Sequence, residues 1–306
     1  MRAVVMLDAA PGEPVVADVP VPRPAEDELL VKVAGASVNG LDVAAASGRL
    51  EAAAGRRRPL ALGRDFSGTV VAIGAGVTEF GVGEAVFGAL PMPGRGVGSL
   101  AEYLTVPVGQ GVARIPGGVT PRDAGVLAVA GSAALAAVEA VRPEPGEAVL
   151  VVGATGGVGS FAVQYAAQRG ARVIATARPG VETQFVRDLA GREGRVVDRS
   201  RELTAQVRRL EPGGVAAVLH LAGDASPLPG LLAPGGRLAS TLGPTAQGAR
   251  AVTADPDAAT LKRLGEDVAA GRIEVRITRT YSLGEAPTAF TNFAAGTLGK
   301  LAVSVA

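Results

Sequence analysis

The residues best placed to do chemistry lie in "VLVVGATGGVGSFAVQYAAQRGARVIATARPG", residues 149–180. An apolar run meets a cluster of glycines, and a helix-like run and a second apolar run follow. Gly157, Gly159 and Ala162 fit G-x-G-x-x-A, with Gly153 and Gly156 just ahead of them. Missing β-carbons let the chain turn sharply, let a pyrophosphate approach the backbone and let the helix pack close to the strand. The helix N-terminus then offers unpaired N–H groups to phosphate. A dinucleotide site is expected at Gly153, Thr155, Gly156, Gly157, Val158 and Gly159.

The second run ends in "VIATARPGVE", where Arg178 stands and no acid precedes Glu182. An NAD site places a carboxylate about 20 residues past the glycines, on the ribose 2′-hydroxyl. A guanidinium instead pairs with a 2′-phosphate. NADPH is therefore the expected cofactor, with Arg178 reading the phosphate; the alternative is a solvated loop arginine.

The elements around this stretch form two textures. Up to about residue 119, short β-like runs such as "ELLVKVAGASV" and "FSGTVVAIG" alternate with turns. From Thr120, a plausible N-cap ahead of Pro121, strands and helices alternate, which implies βαβ units and a buried parallel sheet. The expected organisation is a β-rich domain over 1–119, completed by about 272–306, and a nucleotide-binding domain over 120–271. A net charge of +1 gives no broad field for nucleic acid, and the chain has no cysteine for disulfides or thiolate metal sites. No apolar run is long enough for a membrane span, and "MRAVVMLDAAPGEPVV" is a poor signal peptide. A cytoplasmic protein with a small-molecule substrate is expected.

In order along the chain, "GASVNGLDVAAASG", "LGRDFSGTVVAIGAGVTEFGVGEAVFG", "GSLAEYLTV", "AGSAALAAV", "VLVVGATGGVGSFAVQYA", "LAPGGRLAST" and "GKLAVSV" resemble the zinc-free quinone oxidoreductase branch of the medium-chain dehydrogenase/reductases. Glu84 stands where that family usually has Asp. The resemblance covers nearly the whole chain. It implies an α/β protein, with a GroES-like β-rich domain beside a Rossmann domain of doubly wound parallel sheet. It further implies NADPH as hydride donor, a quinone or α,β-unsaturated carbonyl as acceptor, and a homodimer. Zinc-dependent relatives carry an early Cys and Gly-His-Glu; here "SVNGLDV" and Gly63-Arg64-Asp65 stand in their place, and the single histidine is His220. No zinc site is expected.

The same resemblance supplies candidate site residues. Asn39 and Asp42 match the family's V-N-x-x-D segment as catalytic candidates. The Asn39 amide either donates to the acceptor's carbonyl oxygen or orders its loop as an Asx turn. The tyrosine that follows this Asp in the family is replaced by Ala44. Ser132, in the place of a family Thr, either touches the nicotinamide half of the cofactor or packs its helix. Lys300, in the closing "GKLAVSV", is the last cofactor-binding candidate. Tyr103 is expected to be structural, and His220 either faces the cofactor or is a buried, satisfied side chain. The run Arg56 to Arg58 is either a solvated surface or a guide for an anionic substrate. Besides the quinone or enone reductase, an enoyl thioester reductase of a biosynthetic intermediate and a non-enzymatic NADPH-binding protein remain open.

Overall fold

The computed structural model describes residues 1–7, 12–49, 59–91, 98–243 and 248–305. Arg56 to Arg58 lie outside the described residues. Two compact units form, one of Met1–Ser132 with Asp255–Ala306 and the other of Ala133–Ala254.

The first unit is built on β strands. β1 (Arg2–Met6), β2 (Val15–Asp18) and β4 (Leu60–Ala61) make a small antiparallel sheet in the order β2-β1-β4. The larger sheet contains β3 (Glu28–Ser37), β5 (Asp65–Ile73), β6 (Ala85–Ala89), β8 (Val112–Arg114), β15 (Ile277–Ser282) and β16 (Lys300–Ser304) in the order β15-β16-β3-β5-β6-β8, while β7 (Tyr103–Pro107) pairs with β3. Leu29, Phe66, Val70, Leu104 and Val303 belong to its core and are at most 1 % exposed. Helix α1 (Gly40–Ala46) follows β3 directly.

The helical run that opens at Thr120 is two helices, α2 (Pro121–Ala124) and α3 (Ala128–Val141). Thr120 is the N-cap of α2, its hydroxyl accepting from Asp123 N–H at 3.1 Å. Close approach explains the break, since a Cβ on Gly125 would lie 2.8 Å from the Gly35 backbone. Helix α7 (Ala258–Ala269) stays with this unit, although its texture belongs to the alternating half of the sequence. Leu264 lies over Gly131, and Gly265 lies against Pro116, where a Cβ would come within 2.8 Å. Helix α8 (Ala286–Ala294) precedes β16.

In the second unit β9 (Ala148–Val152), β10 (Arg172–Ala177), β11 (Arg195–Asp198), β12 (Val215–His220), β13 (Leu232–Ser240) and β14 (Ala249–Ala251) form one parallel sheet in the order β11-β10-β9-β12-β13-β14. α4 (Gly157–Gln168), α5 (Val181–Ala190) and α6 (Leu203–Leu210) are its crossover helices. The first four residues of β9 are buried, as a strand covered on both faces requires. Strand order reverses between β9 and β12, and at such a switch point ligands bind beyond the carboxyl ends of the strands.

Candidate active site

In the parallel-sheet unit, Gly153 leaves β9 with φ of +89°, a left-handed conformation that favours glycine. Its N–H donates to Thr176 Oγ1 at 3.0 Å. Thr176 is buried on β10, so the neighbouring strand fixes the turn. A Cβ on Gly159 would lie 2.1 Å from the Gly153 carbonyl oxygen, so only glycine lets α4 start this close to the turn. Gly156 is the N-cap and no side chain caps the helix. The first-turn N–H groups of Gly157, Val158 and Gly159 have no preceding helical carbonyl to bond. An atom-sized space is also open over Gly156, where a Cβ would meet nothing nearer than 3.6 Å. Thr155 is buried in the same turn. These features fit the pyrophosphate of a dinucleotide.

At the end of β10, Arg178 is exposed, and its backbone N–H donates to Glu182 Oε2 at 2.8 Å. Arg199, which sequence reasoning missed, grips the same carboxylate through Nε and Nη2, both at 3.0 Å. Hydrogen bonds from Arg199 hold the Glu182 carboxyl below the usual carboxylate range, against the opposing effect of its burial. Glu182, the first acid after this strand in the sequence, is thus already neutralised, with two guanidinium groups beside it. His220 is fully buried, its ring between Ser240 Oγ at 3.1 Å and the Gly223 carbonyl at 3.0 Å. A carbonyl only accepts, so Nε2 carries a proton toward Gly223.

A second constellation lies wholly within the β-rich unit. Asp65 is fully buried. Its Oδ2 accepts from Ser37 Oγ at 2.6 Å, from Asn39 Nδ2 at 3.0 Å and from Lys300 Nζ at 3.3 Å. Its Oδ1 accepts from Val129 N–H at 2.7 Å and so caps the first turn of α3. Lys300 also donates to Asn39 Oδ1 at 2.7 Å, and Asn39 Nδ2 has a second bond, to Ser37 Oγ, at 3.2 Å.

Strand register explains this convergence. β16 and β3 pair Ala302 with Ser37, Val303 with Ala36 and Ser304 with Gly35. Each pair sums to 339, so the same register extended by two residues sets Lys300 opposite Asn39. β3 and β5 pair Ala36 with Phe66, which places Ser37 opposite Asp65.

The Asn39 amide therefore has both N–H groups and its oxygen engaged inside the cluster, while one of the three Lys300 N–H groups has no partner among the described residues. Ser132, one turn beyond Val129 on α3, is 2 % exposed and its hydroxyl has no partner among the described residues. An orphaned buried hydroxyl of this kind is a place for a ligand's polar atom. Ala44 leaves no phenol on α1.

Asp42 Oδ2 accepts from Asn39 N–H at 2.8 Å. Burial pushes the Asp42 carboxyl up to about 7; the Asn39 hydrogen bond opposes this, neighbouring Asp65 adds to it, and Arg64 and Lys300 oppose it. Between the ordinary carboxylate value and about pH 7, the folded protein holds a proton that the unfolded chain has released. The Asp42 contribution to stability is therefore present at low pH and is lost as pH rises through that interval. Asp42→Asn should become steadily more stable relative to wild type as pH rises from about 4 to about 7, with no further gain above. Urea midpoints across that range check the slope, and a constant difference between the two proteins contradicts the assignment.

Among the described residues no three His, Asp or Glu side chains are placed to hold a metal ion. No helix of the described residues is long and apolar enough to cross a membrane.

A β-rich unit of this topology, joined to a parallel sheet with a glycine turn at its switch point, defines the class: a two-unit nicotinamide-dependent dehydrogenase or reductase fold. Residues 25–117 match the alcohol dehydrogenase GroES-like domain, and residues 149–235 match the NAD-dependent epimerase/dehydratase family. The chain belongs to the medium-chain dehydrogenase/reductase superfamily, in its quinone oxidoreductase branch.

Among solved structures, the quinone oxidoreductase from Coxiella burnetii superposes with a TM-score of 0.90 at 26% identity, covering 100% of this chain and 99% of that one. A mycobacterial quinone oxidoreductase gives 0.80 at 27% identity, with 100% of each chain covered. In sequence, a mycocerosic acid synthase-like polyketide synthase of Mycobacterium tuberculosis is 36% identical over 218 residues, which is 70% of this chain and 10% of that protein. The human mitochondrial NAD(P)H oxidoreductase RTN4IP1 is 33% identical over 204 residues, 61% of this chain and 50% of that protein. The chain thus spans about a tenth of the synthase and about half of the human protein in these matches.

Proposed function

We propose that this chain is a metal-independent reductase that uses NADPH to reduce a quinone or an α,β-unsaturated carbonyl. The observation that carries the reading is the glycine cradle, with its open helix N-terminus, next to a strand end where Arg178 is exposed and Glu182 is neutralised by Arg199. Bound in this cradle, the cofactor supplies a hydride. The N–H groups of Gly157, Val158 and Gly159 take the pyrophosphate, and Arg178, with Arg199, takes the 2′-phosphate. Ser132 gives its orphan hydroxyl to a polar atom of the cofactor. Lys300 keeps an N–H for the cofactor or for negative charge growing on the acceptor's oxygen, and Asn39 and Asp65 hold that ammonium in place. Asp42 orders the same loop through Asn39 N–H and is the buried group best suited to hold a proton near neutral pH.

Metal independence is supported by the donor set: no cysteine in the chain, one histidine with both ring nitrogens bonded, and Asp65 committed to Lys300. The polyketide synthase similarity favours a second reading within the same chemistry, reduction of an enoyl thioester. A cytoplasmic homodimer is the assembly we expect.

A steady-state scan of NADPH oxidation against quinones, enones and enoyl thioesters, repeated after prolonged chelation, tests the proposal. Consumption with at least one acceptor class, unchanged by chelation, is expected. NADPH binding without consumption favours a non-enzymatic role, and loss on chelation overturns metal independence. Arg178→Ala should weaken NADPH about tenfold while leaving NADH nearly unchanged, since this exposed charge-assisted pair is screened by solvent. Binding titrations with each cofactor check this, and equal losses contradict it.

A further inference from the structure

Arg64 is a buried cation that the reading above does not use. It is 8 % exposed and lies between Gly63 and the hub carboxylate of Asp65. Gly63 has φ of +97°, and a Cβ there would come within 2.7 Å of Leu100 N, so the backbone entering Arg64 is fixed. The side chain is fixed as well. Its Nε donates to the Leu90 carbonyl at 3.0 Å, while Leu90 N–H donates to the Arg64 carbonyl at 2.9 Å.

No carboxylate among the described residues pairs with this guanidinium. Asp65 has Oδ1 on Val129 and Oδ2 on Ser37, Asn39 and Lys300. Asp42 has Oδ2 on Asn39 N–H and makes no ion pair with Arg64. A buried charge with no ion-pair contact is expensive to keep, even with the Asp42 carboxyl near enough to act on it through space. Spending Nε on Leu90 leaves the Nη1–Nη2 edge, a planar pair of parallel N–H donors whose spacing matches the two oxygens of a carboxylate.

We propose that the Nη1–Nη2 edge of Arg64 is a carboxylate-binding site of the β-rich unit, and that the acceptor reduced by this protein carries a carboxylate group. The first half stands on the geometry of Arg64 alone; the second rests on the reductase reading.

The test uses the full-length wild type, Arg64→Gln and Arg64→Lys, with acetate as the probe and chloride at equal ionic strength as the reference. Acetate should raise the Tm of the wild type and leave that of Arg64→Gln unmoved. An equal response in both proteins overturns the site, and phosphate stabilising the wild type more strongly than acetate, with Arg64→Gln unmoved, overturns the carboxylate assignment in favour of a phosphate group, which the same fork also binds. If Arg64→Gln does not fold, Arg64→Lys decides: a point charge without the fork should respond more weakly, and a full response overturns the forked geometry. The kinetic arm compares kcat/KM for a carboxylate-bearing enone and its methyl ester. The wild type should prefer the acid, and Arg64→Gln should reduce that preference on the order of tenfold to a hundredfold. Acid and ester used alike by the wild type overturns the acceptor assignment, even where acetate binds. If no acceptor of any class is consumed, the reductase reading fails while the acetate result still decides the site.

Discussion

Lys300→Met is expected to destabilise the β-rich unit by about 3–5 kcal/mol, the cost of leaving a buried carboxylate without its cation. Asp65 is fully buried, and Lys300 is its cationic partner at 3.3 Å. The loss extends past that contact. Asn39 Oδ1 loses its 2.7 Å donor, and the loop before α1 loses an anchor on β16. The double variant Lys300→Met/Asp65→Asn should recover part of the loss, because it removes the stranded charge and leaves an amide that still accepts from Val129. Two units need not unfold together, so hydrogen exchange at Val129 and along β3 is the readout to pair with urea unfolding. A single variant within about 1 kcal/mol of wild type contradicts the buried ion pair, since a solvated surface pair contributes no more than that.

Gly159→Ala is expected to remove NADPH binding and to destabilise the parallel-sheet unit by about 1–3 kcal/mol, as overpacking does. Its Cβ would stand 2.1 Å from the Gly153 carbonyl oxygen and 2.7 Å from Ala154 backbone atoms, which are rigid neighbours. Either α4 backs away from β9 or the turn at Gly153 reopens, and both movements pull the first-turn N–H groups out of alignment. Gly156→Ala provides the contrast. A Cβ there has room, with the Gly153 oxygen 3.6 Å away, and φ of −77° suits any residue. This variant should fold like wild type and yet bind NADPH more weakly, because its methyl group occupies the space we assign to the pyrophosphate. Fluorescence titration of both variants separates the two effects. Gly159→Ala binding as tightly as wild type would refute the close helix approach.

Local features were legible in the sequence. The glycine turn, the strand before it and the helix after it are set by neighbours within about ten residues, and the parallel sheet follows from their alternation. The cluster at Asp65 was legible only as separate letters. Asn39 and Lys300 stand 261 positions apart, and only the β16–β3 register brings them together. Asn39 and Lys300 also entered the sequence reading under different roles, whereas in the structure each is the other's hydrogen-bond partner. Arg199 escaped notice because its contact with Glu182 depends on β11 lying beside β10. Helix α8 was missed even though signals were present: Ser282 and Glu285 form a capping box on the 3₁₀ turn Leu283–Glu285 that leads into it, with Ser282 N–H to Glu285 Oε2 at 2.9 Å, and Pro287 stands in the first turn of α8 itself. The break between α2 and α3 had no local signal stronger than Gly125, because its cause is the Gly35 backbone of another element.

The most direct measurement of the central claim follows the transferred atom. The full-length protein is incubated with NADPH carrying deuterium at the transferable nicotinamide position, together with a carboxylate-bearing enone, and the reduced product is analysed by mass spectrometry. The account predicts one deuterium per product molecule, on the carbon β to the carbonyl, and the same labelling after chelation. Product without label, or no reduction of this enone, of its methyl ester or of any quinone or enoyl thioester under conditions where NADPH binding is demonstrated, would contradict it.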